Sequence, residues 1–554
     1  MLSRFCKSHL AALTFTVVVA SGFAVAETDH VDPQVGQGAI DQQEAAVFAE
    51  YAGTYRIPHF KAVPADSAEK WAEIATFEVP GWLIDGKLGV YTHWGPGNVA
   101  EFAPAGNYIR GMYDKRDPKG IYSYHQEHYG GFEKVGYTDM VDMFTAEAYD
   151  PKTYVDLMLA SGAKFGGLGL VHHDGYLMWD SEVNRWNSMD TGPKRDLFGE
   201  FVTAARKTDL RVVGSFHHAR SYDYTHRYLD LDSFTEEEKA NTDLFQEEFA
   251  DFFYNPEYFS EERFAREWQA KIIEVADKYQ PDFLWFDGVQ LGTKHTPAAA
   301  AAEALLHFFK SAKERGQQVS MCNKLPAGNI KTLKAHFSYP EGTGLRCYEG
   351  GRDMPPDNDG YFLFDRAIAH PWGYVKNKKY RWGANYHVDG LIDVVSRGGV
   401  LLLSLAPMAN GAIPPEEIEI MRGIGAWLEV NGEAIYGTRR WHIPGEDHND
   451  VVSWGYKPDK KLLYWPYDGV GAAQVRFTQA KDGTLYAIVL GRPENGKVRI
   501  RNLRDGSPYH AEAISAVSLL GHDGEISFTR DAEALHIEFP ASAAQSHAYA
   551  FRIK

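Results

Sequence analysis

Several short apolar segments of the sequence end in polar and aromatic side chains, and these are the groups best able to do chemistry. The residues at these ends are His93, Trp94, His172, His173, His217, Trp285 and Asp287. If the segments are parallel strands of one barrel, their carboxyl ends meet at one mouth. An acid, several imidazoles and two tryptophans would form a cleft for a polar ligand with apolar faces, such as a sugar.

Each of these residues also has a structural interpretation. An aspartate before a glycine, as at Asp287, is often a turn or helix-cap residue. The His172-His173 pair could be a hydrogen-bonded structural pair. A zinc site is disfavoured because metal-dependent barrel hydrolases usually begin with a His-x-His strand end, whereas the first strand here ends in His93-Trp94-Gly95. We therefore expect no metal and no other cofactor.

The elements that position these residues alternate between strand and helix, which is typical of a parallel α/β architecture. The predicted strands are Leu88–His93, Phe165–Val171, Leu210–Phe216, Phe283–Phe286, Val319–Cys322 and Val400–Leu405. The predicted helices are Pro151–Ala160, Arg195–Lys207, Pro256–Tyr279, Pro297–Lys313 and Pro415–Glu429, and all but the second begin with a proline, which the first turn tolerates.

The hydrophobic pattern of the sequence changes near Gly432. Short alternating segments then recur between Gly, Asp and Asn turns, and they predict an antiparallel β-sandwich. They are Leu462–Trp465, Gln474–Phe477, Thr484–Leu490, Lys497–Ile500, Ala534–Phe539 and His547–Ile553. We expect a signal peptide at 1–26, an N-terminal extension at 27–80, the barrel at 81–431 and the β-sandwich domain at 432–554.

The first residues have the pattern of an export signal. Arg4 and Lys7 precede the apolar run Leu10–Val19, and Ala24–Ala26 offers small residues for cleavage. The run is too short to span a bilayer, and Cys6 lies ahead of it, unlike the cysteine of a lipoprotein. We therefore expect a soluble exported protein, periplasmic or secreted, whose mature chain begins at Glu27.

Composition excludes several classes of protein. The 554 residues carry 57 basic and 75 acidic side chains, a net charge of −18, which argues against a nucleic-acid binder with a basic surface. A hydrophobic content of 44% argues against a disordered chain, and no long uncharged stretch predicts a membrane bundle. After signal removal, only Cys322 and Cys347 remain, either as one disulfide or, more commonly, as two buried thiols.

Read together, five segments resemble the α-L-fucosidases of glycoside hydrolase family 29. They are KLGVYTHWG (Lys87–Gly95), AKFGGLGLVHHDGYLMWDS (Ala163–Ser181), PDFLWFDG (Pro281–Gly288), DVVSRGGVLLLSLAPMANGAIP (Asp393–Pro414) and GEAIYGTRRW (Gly432–Trp441). The resemblance implies a (β/α)8-like TIM barrel with a C-terminal β-sandwich, no metal, and a retaining exo-glycosidase acting on a fucosylated glycan.

The resemblance also assigns roles to residues. Asp287, in WFDG, is the implied nucleophile of a double displacement that needs two carboxyl groups about 5–5.5 Å apart. The residues implied to hold or face the sugar are His93, Trp94, His172, His173, His217, Trp285 and Tyr108. An aromatic lining would also suit the apolar C6 methyl group of fucose.

The resemblance does not assign the acid/base carboxyl to a single residue. Many relatives carry it in a Trp-Glu segment before Trp-Gly-Tyr, but Leu363 stands at that place here. Other branches of the family place the acid on a Gly-rich loop, where this chain has Glu349. Glu349 is the best candidate, with Glu341 and Asp365 as alternatives.

The segment after the first strand departs from the family pattern as well. Many relatives carry Glu-Trp-Tyr where this chain has Gly106-Asn107-Tyr108, so a sugar-contacting glutamate and a tryptophan are missing. Three alternatives to a fucosidase therefore stay open. They are an α-L-galactosidase, a glycosidase directed at sulfated fucans, with Lys376–Lys379 and Arg352 as basic patches, and an inactive carbohydrate-binding relative.

Overall fold

The structure of the protein is a computed structural model that describes residues 65–287, 295–324, 343–349, 360–446, 474–493 and 495–554. The predicted signal peptide, the first part of the N-terminal extension, Glu341, Arg352 and the predicted strand at Leu462–Trp465 lie outside the described residues. No helix in the described ranges is long and apolar enough to cross a membrane.

Eight parallel strands, paired in chain order, close into a barrel. They are β1 (Leu88–Thr92), β2 (Phe165–Val171), β3 (Arg211–Phe216), β4 (Phe283–Phe286), β5 (Ser320–Lys324), β6 (Leu345–Glu349), β7 (Phe362–Ala367) and β8 (Gly399–Leu405). The six predicted strands are all present. β6 and β7 were not predicted, because charged residues such as Arg346 and Asp365 interrupt their apolar runs.

Helices surround the barrel and fill the connections between its strands. They are α1 (Ala68–Ile74), α2 (Gly81–Gly86), α3 (Ala105–Gly111), α4 (Ile121–Tyr129), α5 (Tyr137–Met143), α6 (Pro151–Ala160), α7 (Leu197–Ala205), α8 (Glu236–Asn241), α9 (Ala250–Phe253), α10 (Glu261–Lys278), α11 (Ala298–Glu314), α12 (Ala384–Ser396) and α13 (Pro415–Asn431). All five predicted helices form. Pro151 and Pro415 begin theirs, whereas Pro256 precedes α10, which is capped by the Ser260 side chain.

Two apolar layers hold the barrel together. The inner layer fills the lumen and includes Tyr91, Trp285, Cys322 and Cys347. The outer layer lies between the strands and the helices and is much larger. Because successive strand residues point to opposite faces, neighbouring residues of one strand contribute to different layers. The inner layer forms the floor of the barrel mouth.

The C-terminal domain is antiparallel. Its strands are β9 (Arg439–Glu446), β10 (Gln474–Gln479), β11 (Leu485–Leu490), β12 (Lys497–Ile500), β13 (Val517–Leu519), β14 (Phe528–Arg530), β15 (Leu535–Glu538) and β16 (Ala548–Ile553). They form a five-stranded sheet in the order β13-β16-β11-β10-β9 and a three-stranded sheet in the order β12-β15-β14, with an apolar core of their own. The predicted fold class, a TIM barrel with a C-terminal antiparallel β-domain, is confirmed.

Candidate active site

The imidazoles predicted at the strand ends meet at the barrel mouth. The His93 ring follows β1 and lies 4.9 Å from the His217 ring and 5.6 Å from the His172 ring, measured between centroids. His172 stacks on His217 at 4.7 Å, and His173 lies 4.4 Å from His172. The convergence of parallel strands at one end of the barrel therefore brings together residues that are far apart in sequence.

Hydrogen bonds fix the proton positions of two of these imidazoles. His173 Nδ1 lies 2.8 Å from the His217 carbonyl oxygen, which can only accept, so Nδ1 donates. Ser404 Oγ donates to the Leu405 carbonyl, so His93 Nδ1, 2.7 Å from that Oγ, donates to it. Each neutral ring thus keeps a lone pair on Nε2, which can accept a hydrogen bond from a hydroxyl group.

Burial keeps these imidazoles neutral. It lowers the pKa values of His93, His173 and His217 well below the usual histidine value, and the neighbouring imidazoles lower them further. Nitrogen atoms of His93, His172 and His217 lie within 4.8 Å of one another, a grouping that could hold a metal ion.

Asp287 follows β4 directly and faces the imidazoles. Its Oδ2 lies 3.8 Å from His173 Nε2, and its Oδ1 accepts a hydrogen bond from Lys324 Nζ at 2.6 Å. Burial alone would raise the pKa of this carboxyl, but the Lys324 ammonium, with a smaller contribution from Arg220, holds the pKa well below its usual value. Asp287 is therefore an ionised, partly accessible carboxylate near neutral pH.

Glu349 shares the same lysine. It is the last residue of β6, and its Oε2 lies 3.0 Å from Lys324 Nζ. The side chains of Asp287 and Glu349 are 11% and 12% exposed, whereas Asp365 on β7 is fully buried. Of the two described candidates for the second carboxyl, Glu349 is the one that is accessible from the mouth.

Lys324 was not among the predicted site residues. Burial would lower the pKa of its ammonium, but Asp287, Glu349 and Asp365 together hold that pKa well above the usual lysine value. The sequence did contain a signal, since Lys324 lies just beyond the predicted strand Val319–Cys322, as the histidines lie beyond theirs. The structure extends β5 to Lys324 and so places its ammonium at the mouth.

Two tryptophan rings border the site. Trp285, which was predicted, is buried 5.1 Å from the His217 ring, and Lys324 Nζ lies 5.3 Å from its centroid. Trp372 was not predicted, although its Trp-Gly-Tyr segment was noted. It lies 4.8 Å from the His93 ring and 5.6 Å from Lys324 Nζ. The apolar wall of the mouth thus combines residues from β4 and from the connection after β7.

The structure places Trp94 and Tyr108 away from the imidazoles. Trp94 is buried against Phe144 and Tyr149, with ring centroids at 5.2 and 5.1 Å, because its indole completes the outer apolar layer. Tyr108 is fully buried on α3, and its hydroxyl group bonds His125 Nδ1 at 2.9 Å. We therefore leave both residues out of the candidate sugar site.

Two partly accessible carboxylates on one ammonium, beside neutral imidazoles and tryptophans at the mouth of a parallel barrel, define a barrel glycoside hydrolase. The sequence profile described as alpha-L-fucosidase matches residues 59–433, and the profile of the alpha-L-fucosidase C-terminal domain matches residues 468–554. The chain belongs to the α-L-fucosidase family, glycoside hydrolase family 29, and this confirms the resemblance found in the sequence.

Individual relatives agree with this assignment. The tissue alpha-L-fucosidase of Mus musculus is 27% identical over 473 residues, which cover 83% of this chain and 87% of the relative. The tissue alpha-L-fucosidase of Homo sapiens is 25% identical over 496 residues, covering 85% and 87%. The crystal structure of Thermotoga maritima alpha-fucosidase in complex with fucose has a TM-score of 0.65, 25% identity, and coverage of 87% of this chain and 99% of that one.

Proposed function

We propose that the protein is an exo-acting, retaining α-L-fucosidase that releases terminal α-L-fucosyl residues from oligo- or polysaccharides. The observation that carries the proposal is the position of the two carboxylates on Lys324. Oxygens that lie 2.6 and 3.0 Å from one nitrogen are within about 6 Å of each other, which suits the separation of roughly 5–5.5 Å in retaining glycosidases.

In the first step, Asp287 is the nucleophile. Its carboxylate oxygen forms a bond to the anomeric carbon as the bond from that carbon to the leaving oxygen breaks. Glu349, as the general acid, gives its proton to that leaving oxygen, so the first product departs as a neutral alcohol. The Lys324 ammonium favours the ionised form of Asp287 that this attack needs.

In the second step, Glu349 acts as the general base. It takes a proton from water while the water oxygen bonds to the anomeric carbon, and the ester bond to Asp287 breaks. The second inversion restores the original anomeric configuration, and Glu349 is protonated again. His93 and His173 accept hydrogen bonds from sugar hydroxyls through Nε2, and Trp372 faces the apolar C6 methyl group. Trp285, which is fully buried, supports the His217 ring.

Kinetics on aryl α-L-fucosides test both roles. Asp287→Ala should lower kcat/KM for 4-nitrophenyl α-L-fucoside by about 10³-fold or more, and undiminished activity would sink the assignment. Glu349→Ala should slow a poor leaving group such as phenol far more than an activated one such as 2-chloro-4-nitrophenol. Equal slowing of both substrates would move the acid/base role to another residue.

A second candidate substrate is a fucoside that carries an anionic substituent such as a sulfate ester. A cavity of about 270 Å³ lies beside α3, and its lining includes Asn107, Arg110, Arg116, Lys119 and Tyr228. The Arg110 guanidinium lies 4.4 Å from the Tyr228 ring and 5.5 Å from the Tyr224 ring, and Tyr224 is 5.1 Å from the His173 ring. This contact chain leads from the candidate sugar site to a cavity whose lining also includes Asp114 and Asp117. Arg116 is paired with Asp114 at 2.8 Å, so Arg110 and Lys119 are the basic groups left to meet a sulfate.

The predicted basic patch at Lys376–Lys379 supports this candidate less, because Lys378 is buried against Glu417 at 3.4 Å.

The sulfated-substrate candidate is tested by comparing kcat/KM for an aryl α-L-fucoside with and without a ring sulfate. If the cavity holds the sulfate, Arg110→Gln should reduce only the activity on the sulfated substrate. An equal effect on both substrates would exclude this use of the cavity. The ratio of kcat/KM for the aryl α-L-fucoside to kcat/KM for the aryl α-L-galactoside measures selectivity at C6, where the two sugars differ.

We also propose that the protein is exported, to the periplasm or the medium. The proposal rests on the pattern of residues 1–26, in which charged residues are followed by an apolar run and then by small residues. Amino-terminal sequencing of the protein expressed with its full leader should give Glu27 as the first residue. Recovery of a cell-internal chain that starts at Met1 would contradict it.

A further inference from the structure

A short stack of aromatic rings lies on the surface beside the barrel mouth. Phe102 is in the connection after β1, and its ring stacks on Tyr124 of α4, with the centroids 4.1 Å apart and the planes at 12°. Tyr124 in turn stacks on His128, at 3.9 Å and 20°. Phe102 is 40% exposed although its side chain is large and apolar. We call these three residues the rim stack, and the reaction proposed above uses none of them.

Hydrogen bonds hold the rim stack in place. The Tyr124 hydroxyl group donates to the Ala100 carbonyl at 3.1 Å, which ties α4 to the segment that carries Phe102. Glu101 has a φ of 52°, a left-handed conformation that is uncommon outside glycine, and its carbonyl accepts the Lys376 N–H at 2.7 Å. Because the Phe102 ring is held before a ligand arrives, binding to it costs little conformational entropy.

The rim stack lies next to the candidate sugar site. The connection after β1 begins at His93, and its backbone at Gly106 approaches the His172 ring so closely that a Cβ atom there would lie 2.5 Å away. Phe102 lies between these two points of the chain. The connection after β7 is hydrogen-bonded to the same segment and carries Trp372 against the His93 ring. An exo-acting enzyme holds the terminal sugar in the mouth, so the rest of the glycan has to cross the rim.

The exposed ring of Phe102 suits a neutral sugar. Tyr124 covers one face of the ring, so the exposed part is the other face and the edges. An aromatic face is electron-rich and packs well against the electron-poor C–H groups on one side of a pyranose. Burial raises the pKa of Tyr124, and the nearby carboxylates of Glu101 and Glu127 raise it further. Negative charge beside the stack disfavours a sulfated or carboxylated sugar at this place.

We propose that Phe102 binds a neutral pyranose in the leaving part of the glycan, and that the rim stack thereby selects glycan substrates over small fucosides. The inference rests on the proposed function, because it names where the leaving part of that substrate binds. Phe102 does not touch the reacting atoms, so its contribution depends on the leaving group alone.

Two kinds of substrate with the same fucosyl residue test this proposal. The leaving group of α-L-fucosyl fluoride is a single atom that cannot reach Phe102, whereas 2′-fucosyllactose and 3-fucosyllactose each release two neutral sugars. Phe102→Ala should lower the ratio of kcat/KM for the better-cleaved trisaccharide to kcat/KM for the fluoride by about tenfold. Phe102→Trp should keep the ratio, because it retains an aromatic face.

Tyr361→Ala is the matched control. Tyr361 is 43% exposed and directly precedes β7, at the end of the barrel opposite the mouth, so its loss should leave the ratio unchanged. An unchanged ratio in Phe102→Ala, or an equal fall in Tyr361→Ala, would overturn the proposal. Absence of turnover of both trisaccharides by the unmodified protein would overturn it as well. Turnover of α-L-fucosyl fluoride by the unmodified protein, and its loss in Asp287→Ala, test the proposed function separately.

Discussion

At the scale of single residues, Lys324 organises the candidate active site. Its ammonium contacts Asp287, Glu349 and Asp365, and these contacts join β5 to β6, to β7 and to the end of β4. The sequence predicted the imidazoles and Asp287 because each follows a clear apolar strand. It did not predict Lys324, because two of the residue's partners, Glu349 and Asp365, come from β6 and β7, which were not recognised.

Lys324→Met should raise the pKa of Asp287, because the main group that favours its ionised form is lost. The acid limb of kcat/KM against pH should therefore move to higher pH, and kcat/KM at neutral pH should fall by about 10²-fold or more. Lys271→Met, which removes a buried lysine paired with Glu267 on α10, is the control for general destabilisation. An acid limb that stays in place would show that Lys324 does not control Asp287.

The three imidazoles at the mouth give a prediction about metals. The proposed reaction needs no metal ion, because Asp287 supplies the nucleophile and Glu349 the proton and the base. Dialysis against dipicolinate should leave kcat/KM unchanged, and added Zn²⁺ should not raise it. Loss of activity on dialysis that Zn²⁺ restores would assign a metal to the group of His93, His172 and His217.

At the scale of elements, the close approach of α3 to the site depends on one glycine. A Cβ atom at Gly106 would lie 2.5 Å from two ring atoms of His172 and 3.1 Å from His173. The sequence showed only that Gly106 replaces a residue of the family pattern. It could not show how close the helix lies, because that distance is set by packing between the connections after β1 and β2.

Gly106→Ala should therefore displace the His172 ring and lower kcat/KM, with a destabilisation of about 1–3 kcal/mol from overpacking. Gly81→Ala is the matched control, because a Cβ atom there meets nothing within 4 Å. Urea unfolding and steady-state kinetics measure the two effects. Full activity of Gly106→Ala would show that the helix can move without disturbing the imidazoles.

At the scale of the whole molecule, buried polar contacts join the barrel to the β-domain. Arg476 on β10 is fully buried, and its Nε lies 3.1 Å from Asp393 Oδ1 on α12. His547 pairs with Asp389 at 2.8 Å, and Trp427 Nε1 donates to the Ala548 carbonyl at 3.1 Å. The change in hydrophobic pattern near Gly432 predicted two domains, but the sequence did not predict these polar contacts between distant segments.

Arg476→Met should destabilise the protein by about 3 kcal/mol at pH 7, because it removes one partner of a buried ion pair. Burial would raise the pKa of Asp393, but Arg397 and Arg476 hold it below the usual value. The stability from this pair is therefore present above the unfolded-state pKa of about 3.9 and is lost as pH falls below it.

Urea unfolding of the unmodified protein and of Arg476→Met at pH 7 and at acid pH measures this difference, which should shrink as the pH falls. Arg499→Met, which breaks an exposed pair with Glu533, should cost at most about 1 kcal/mol at either pH. A difference that does not depend on pH would mean that Arg476 contributes through packing and not through the charge of Asp393.

The central claim is that Asp287 forms a covalent bond to the anomeric carbon. Azide rescue of Asp287→Gly on an activated aryl α-L-fucoside tests it most directly, with the product configuration read by NMR. We predict that azide partly restores turnover and gives the fucosyl azide with inverted configuration, because the small anion attacks from the face that the carboxylate has vacated. Absence of rescue, or an azide product with retained configuration, would contradict the account.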